Sequence, residues 1–153
     1  MNALENRIRP PLVMVLTAAA MWAIAELAPA VPITGTLQIV IACALAVLGG
    51  VFVVSGFQAF GRAKTTTNSM SIEKASSLVT SGIYRYTRNP MYLGLTTLLL
   101  AWAVYLAAPW VILGPIAFML FITRFQIIPE ERGLREKFGT AYAAYQQEVR
   151  RWL

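Results

Sequence analysis

The chain has 153 residues, 58% of them hydrophobic and only 13% charged, where a soluble domain carries about 45–50% apolar and about 25% charged residues. A core of this size cannot bury so much apolar material, so lipid must cover part of it. Thirteen Lys and Arg against seven Glu give a net charge of +6; with no Lys/Arg-rich tract or base-stacking module, this excludes nucleic acid and points to anionic headgroups, which attract juxtamembrane cations at about 1 kcal/mol each.

Four stretches approach the roughly 20 apolar residues that cross a bilayer. The first, 11–28, carries only Glu26, near its end. A short basic start and Ala28-Pro29-Ala30 resemble a signal peptide, but Pro29 and Pro32 disfavour cleavage, so a retained helix is expected. The second, 36–60, has no charge, and its Ala42, Ala46 and Gly50 recur at the four-residue spacing that lets membrane helices approach closely. Packing within the chain is the plain reading and a homodimer the sharper one. Cys43 lies in this run, cannot form an internal disulfide, and reads as a small buried hydrophobe. The third and fourth spans, 91–107 and 110–128, are separated only by Ala108 and Pro109 and form a tight hairpin.

The cations lie on one side of these spans. Arg7 and Arg9 precede the first, Arg62, Lys64, Lys74, Arg85 and Arg88 lie in the 61–90 loop, and Arg132, Arg135, Lys137, Arg150 and Arg151 follow the fourth. The opposite connections hold no Lys or Arg, so the positive-inside rule places both termini and the central loop in the cytoplasm. The expected fold is all-α: a single domain over 1–153, a polytopic membrane bundle of about four transmembrane helices with a C-terminal amphipathic cytoplasmic helix.

Two segments on the basic side go beyond anchoring. The loop ends in a dense run of Tyr and Arg, in which Asn89 suits a helix N-cap and Pro90 the first helical turn. After the fourth span Pro129 opens a new segment, 129–152, in which Leu134, Phe138, Tyr142, Tyr145, Val149 and Trp152 form one apolar stripe. Such a helix lies on the membrane or on the bundle, and Glu130 and Glu131 at its start suit the helix dipole. The chain has no histidine, which excludes a Ser–His–Asp triad, a Cys–His pair and any His-based zinc site.

Together the two segments resemble the isoprenylcysteine carboxyl methyltransferase and phospholipid N-methyltransferase superfamily. Its Gly-x-Tyr-x-x-x-Arg-His/Asn-Pro-x-Tyr-x-Gly signature stands here as Gly82, Tyr84, Arg88, Asn89, Pro90, Tyr92 and Gly94. Its tail pattern stands as Glu130, Glu131, Leu134, Phe138, Gly139, Tyr142 and Tyr145, and the likeness covers about residues 60–152. The resemblance implies methyl transfer from S-adenosylmethionine to a lipophilic, membrane-delivered acceptor bearing a carboxylate, thiol or amine. It makes Arg88 and Glu131 catalytic and assigns cofactor binding to Gly82, Tyr84, Asn89, Pro90, Tyr92, Gly94, Glu130 and Glu131, with Arg150 and Arg151 toward the substrate. Where many members have His, Asn89 cannot act as a base near pH 7, which leans toward an acceptor that is already ionised. Two other readings remain: an NADPH-dependent membrane sterol-type reductase, disfavoured by the absence of Asp, and a small four-helix transporter built on Glu26.

Overall fold

The computed structural model describes residues 8–27, 35–63 and 76–153, all helix, turn and short connections among them. Ala28-Pro29-Ala30, Lys64, Lys74 and Arg7 lie outside the described residues. The expected helical bundle is what forms. Helices α1 (Pro10–Leu27), α2 (Gly35–Arg62), α3 (Pro90–Leu106), α4 (Leu113–Ile122) and α5 (Ile128–Glu148) are joined in part by short 3₁₀ turns at Gly82–Arg85 and Pro109–Ile112. Helices α1 and α2 and the run Pro109–Glu148 are long and apolar enough to cross a membrane; α3 is apolar but shorter, at 17 residues. The long side chains of α2, including Val40, Val47, Val51 and Val54, face outward, as expected of a protein whose outer solvent is lipid. Cys43 is exposed on this face, not buried as its composition suggested.

Helix α3 is the hub. It packs against α1, α2 and α4, and it buries Tyr92, Gly94, Thr96, Thr97, Leu99, Ala101 and Ala103. A helix enclosed by its neighbours can be shorter than the bilayer, because they carry the lipid contact. Its packing on α2 depends on the absence of side chains. A Cβ on Gly94 would sit 2.6 Å from the Gly49 carbonyl oxygen and 2.6 Å from Val53 Cγ2. The small-residue stripe is therefore Ala42, Gly49 and Gly56, which are buried, while a Cβ on Gly50 would meet nothing within 4 Å. The four-residue spacing chose the right helix but only one residue of the packing stripe. At the far end Gln38 of α2 donates to the Val104 and Tyr105 carbonyls, two of the acceptors that a helix C-terminus leaves unpaired.

The hairpin is as tight as expected. Ala107 closes α3 in the left-handed region (φ 48°, ψ 39°), Ala108 is extended, and Pro109 opens the next turn. Beyond it the sequence reading needs correction. Pro129 does not start a separate helix, because α4 runs into α5 through a π-helical turn at Thr123–Ile127. A proline inside a helix lacks an N–H and crowds the carbonyl four residues back, and the wider π turn just upstream absorbs that misfit. No free N-terminus exists at Glu130 and Glu131, so helix-dipole capping does not explain them. Nor is the tail one amphipathic helix: Gly139 breaks it at φ 52°, ψ −123°.

Two substitutions test this packing. Gly94→Ala should destabilise the protein by about 1–3 kcal/mol through overpacking, whereas Gly50→Ala should be neutral or slightly stabilising; thermal melts in one detergent compare them. Gly139→Ala should also cost about 1–3 kcal/mol, purely from backbone strain, because a Cβ there meets nothing within 4 Å.

Candidate active site

At the basic end of the bundle, three segments distant in sequence meet: residues 87–92 at the start of α3, Glu130 and Glu131 in α5, and the tail beyond Glu148. Beyond the Gly139 break, the second half of α5 reaches the 82–85 turn, where the Tyr145 hydroxyl donates to the Tyr84 carbonyl. There Tyr142, Tyr145 and Val149 bury one another, with Leu78, Leu134 and Phe138 around them. Val149 is extended, and Trp152 packs against the core cluster that contains Tyr92 and Ile127.

The last residues then lie alongside the α3 start as a strap. The Arg88 N–H donates to the Arg150 carbonyl at 3.0 Å. The Asn89 carboxamide donates to the Arg151 carbonyl at 2.9 Å, and the Thr87 hydroxyl reaches the same oxygen at 3.4 Å. Thr87 Oγ1 also accepts the Asn89 N–H. Asn89 thus occupies the N-cap position without a side-chain cap; its amide holds the strap instead. Pro90 is where the sequence placed it, at the first helical turn.

Charge completes the assembly. Arg151 donates to Glu131 through Nε at 2.9 Å and Nη2 at 2.8 Å, a planar two-point match between guanidinium and carboxylate. Arg88 Nη1 lies 3.3 Å from the same carboxylate, so Glu131 stands between two guanidinium groups. Beside it the Tyr92 hydroxyl donates to Glu130 Oε1. Arg88 is nevertheless incompletely satisfied: Nε and Nη1 are buried, and the contact with Glu131 lacks hydrogen-bond geometry. Native structures leave few buried donors without an acceptor, and each such case wants an explanation.

The remaining residues of the expected set go elsewhere. Tyr84 is buried edge-on against Phe60, with ring centroids 5.5 Å apart, and its carbonyl accepts the Tyr145 hydroxyl at 2.7 Å. Gly94 makes its close approach to Gly49. Gly82 adopts φ +62° at the start of the 3₁₀ turn and lines a separate groove against α2. The Arg150 side chain is exposed, so it contributes by its backbone. Glu26 is exposed toward the other end of α1, away from any charged cluster among the described residues. Sequence reading missed Thr87, which is fully buried. It also missed Gln126, whose buried amide donates to the Ile8 carbonyl. The only available hints were Pro129, placed to distort the helix turn that carries Gln126, and an apolar Val149 and Trp152 within a basic tail.

Burial raises the Tyr84 and Tyr145 phenols well above their usual value; Tyr145 and Glu130 add to the rise at Tyr84, and Tyr142 adds to that at Tyr145, where Arg88 opposes it. The folded state therefore binds these protons more tightly than the unfolded chain. Their contribution is intact below the ordinary phenol pKa of about 10 and is lost as pH rises beyond it. Stability should fall above about pH 10, and Tyr145→Phe should make that fall shallower. The variant should also lose about 1 kcal/mol at neutral pH with its hydrogen bond. Thermal melts across pH 7–11 check both.

Comparison with known proteins places this architecture. The phospholipid methyltransferase family model matches residues 37–141, from α2 through the Gly139 break. An uncharacterized protein of Haemophilus influenzae is 51% identical over 63 residues, 41% of this chain and all of that one. A probable protein-S-isoprenylcysteine O-methyltransferase of Oryza sativa subsp. indica is 36% identical over 92 residues, 58% of this chain and 47% of that protein. Protein-S-isoprenylcysteine O-methyltransferase A of Arabidopsis thaliana is 35% identical over 92 residues, 58% of this chain and 45% of that protein. The chain thus spans about half the length of the plant relatives it matches. No solved structure matches. With a family match over most of its length, two methyltransferases among its relatives and a bundle of apolar helices, the chain belongs to the phospholipid methyltransferase family, as an integral membrane protein.

Proposed function

We propose that the chain is an S-adenosylmethionine-dependent methyltransferase whose cofactor lies against the Arg88–Glu131–Arg151 cluster and whose acceptor arrives from the bilayer. The observation that carries this reading is Arg88, a buried guanidinium with two nitrogens lacking an acceptor. Guanidinium N–H groups form charge-assisted hydrogen bonds to carboxylates, so the amino-acid carboxylate of the cofactor suits an unpaired donor of Arg88. When bound, S-adenosylmethionine supplies a methyl group that is already activated, so the protein is asked mainly for alignment and dryness.

The residues divide the work differently from the resemblance. Glu131 is engaged on both oxygens by Arg151, which makes it a positioning residue that orients Arg88 and latches the strap. Asn89 and Thr87 secure the strap through the Arg151 carbonyl. Tyr92 orients Glu130, leaving Glu130 as the carboxylate nearest the cluster for an ammonium group or a proton. The tyrosines Tyr84 and Tyr145 are held neutral and serve packing. With no histidine in the chain and Asn89 committed to the strap, an acceptor that is already ionised, such as a carboxylate or thiolate, needs nothing further. An amine acceptor would give its proton to Glu130. The cations Arg62, Arg85, Arg88, Arg150 and Arg151 share one end of the bundle, while the 107–112 connection has none. That asymmetry supports both termini and the site facing the cytoplasm.

Isothermal titration of detergent-purified protein tests the assignment. S-adenosylmethionine and its demethylated product should both bind. Arg88→Lys keeps the charge beside Glu131 but loses guanidinium N–H donors, and affinity should fall about tenfold or more with the melting temperature nearly unchanged. Absence of cofactor binding in the folded wild type, or binding of NADPH instead, would sink the proposal. With an acceptor in hand, Glu130→Gln separates the chemistries: turnover of an amine should collapse, and that of an ionised acceptor should persist.

A further inference from the structure

A second polar feature lies at the Gly82–Arg85 turn, lined by none of the residues of the arginine–glutamate cluster. A groove of about 350 Å³ opens between that turn and the last two turns of α2, lined by Ser55, Gln58, Arg62, Ser81, Gly82 and Tyr86 among others. Ser55, Gln58 and Arg62 fall on one face of α2, and the seven-residue step from Ser55 to Arg62 descends about 10 Å into the apolar span. These side chains are costly where they stand unless something pairs with them. Elsewhere in the apolar helices Thr17, Thr96, Thr97 and Thr123 donate to the carbonyl one turn back. Gln38, the amide at the other end of α2, is paired with carbonyls of α3. Ser55, Gln58 and Arg62 have no such side-chain partner among the described residues.

We propose that this groove binds the headgroup and glycerol region of an anionic phospholipid, as a site distinct from the methyl-transfer centre. Arg62, at the end of α2, meets the phosphate; Gln58 and Ser55, successively deeper, meet the glycerol and ester oxygens. Among the described residues no carboxylate lines the groove, so nothing there reads an ammonium group, and Arg62 leaves it positively charged. The headgroup it takes is therefore net negative. Val54 and Phe57 are exposed beside the deeper half, which puts acyl chains against apolar surface and favours a lipid over free phosphate. Such a lipid would brace the turn that carries Tyr84, packed on Phe60 and bonded through its carbonyl to Tyr145.

The experiment compares thermal melts of the full chain in nanodiscs of phosphatidylcholine alone and of phosphatidylcholine with phosphatidylglycerol. Phosphatidylglycerol should raise the melting temperature of the wild type by about 4 °C, the shift expected from one ligand at about ten times its Kd. The double variant Arg62→Gln, Gln58→Leu should lose most of that shift. Arg9→Gln, at an exposed cation elsewhere on the basic end, should keep it. In phosphatidylcholine alone, inorganic phosphate and glycerol 3-phosphate should give no shift. The proposal is overturned by the absence of a shift in the wild type or an equal one in the double variant. An equal loss in Arg9→Gln, meaning general surface charge, or a full shift with soluble phosphate would overturn it too.

Discussion

The carboxylate of Glu131 is the contact on which the basic end of this molecule depends. It faces Arg88 at the start of α3 and Arg151 in the tail, so one side chain of α5 ties together segments 43 and 20 residues away in the sequence. Coulomb attraction strengthens as water is excluded, but removing charges from water is expensive. Two cations around one anion are stable there only while the anion is present; without it they repel each other. The three groups together keep one unit of positive charge, so the cluster still favours an anionic ligand group.

That contact can exist only because the helices below it are in register. The backbone approach of Gly94 to Gly49 draws α3 onto α2, and α3 in turn carries Arg88, Asn89 and Tyr92 up to the level of α5. Between membrane helices the hydrophobic effect is weak and close packing of small residues has to supply the association. The position of the site is therefore set by residues that never touch it.

Two interruptions in the last helical rod aim its groups. The π turn before Pro129 changes the rotational phase of everything that follows, so Glu130 and Glu131 face α3. The Gly139 break then returns the chain toward the same end, and Val149 to Trp152 close over the α3 start. Both interruptions follow from residues that helices tolerate poorly, and both are necessary for the strap to reach Arg88. Asn89 illustrates the consequence. By position it is an N-cap, but its amide meets the Arg151 carbonyl of the strap instead of capping the helix.

Much of this was legible in the sequence. Apolar length and one-sided charge are enough to specify the first three helices, whose observed limits fall within two residues of those expected, because each span must satisfy its own backbone in lipid. Arg88, Asn89, Tyr92, Glu130 and Glu131 could be singled out as a group from the dense polar motifs around them. Their partners could not. The engagement of Glu131 by two arginines, the role of Asn89 as a strap holder, the separation of Gly82 and Gly94 from the cluster and the burial of Thr87 all arise between segments far apart in the chain. The packing stripe of α2 was misjudged for a similar reason: small residues mark where helices can approach, but the crossing of α3 decides which of them are used. Sequence determines which segments enter the membrane and which polar groups stand at its edge; the glycine contact, the π turn and the Gly139 break determine which of those groups meet.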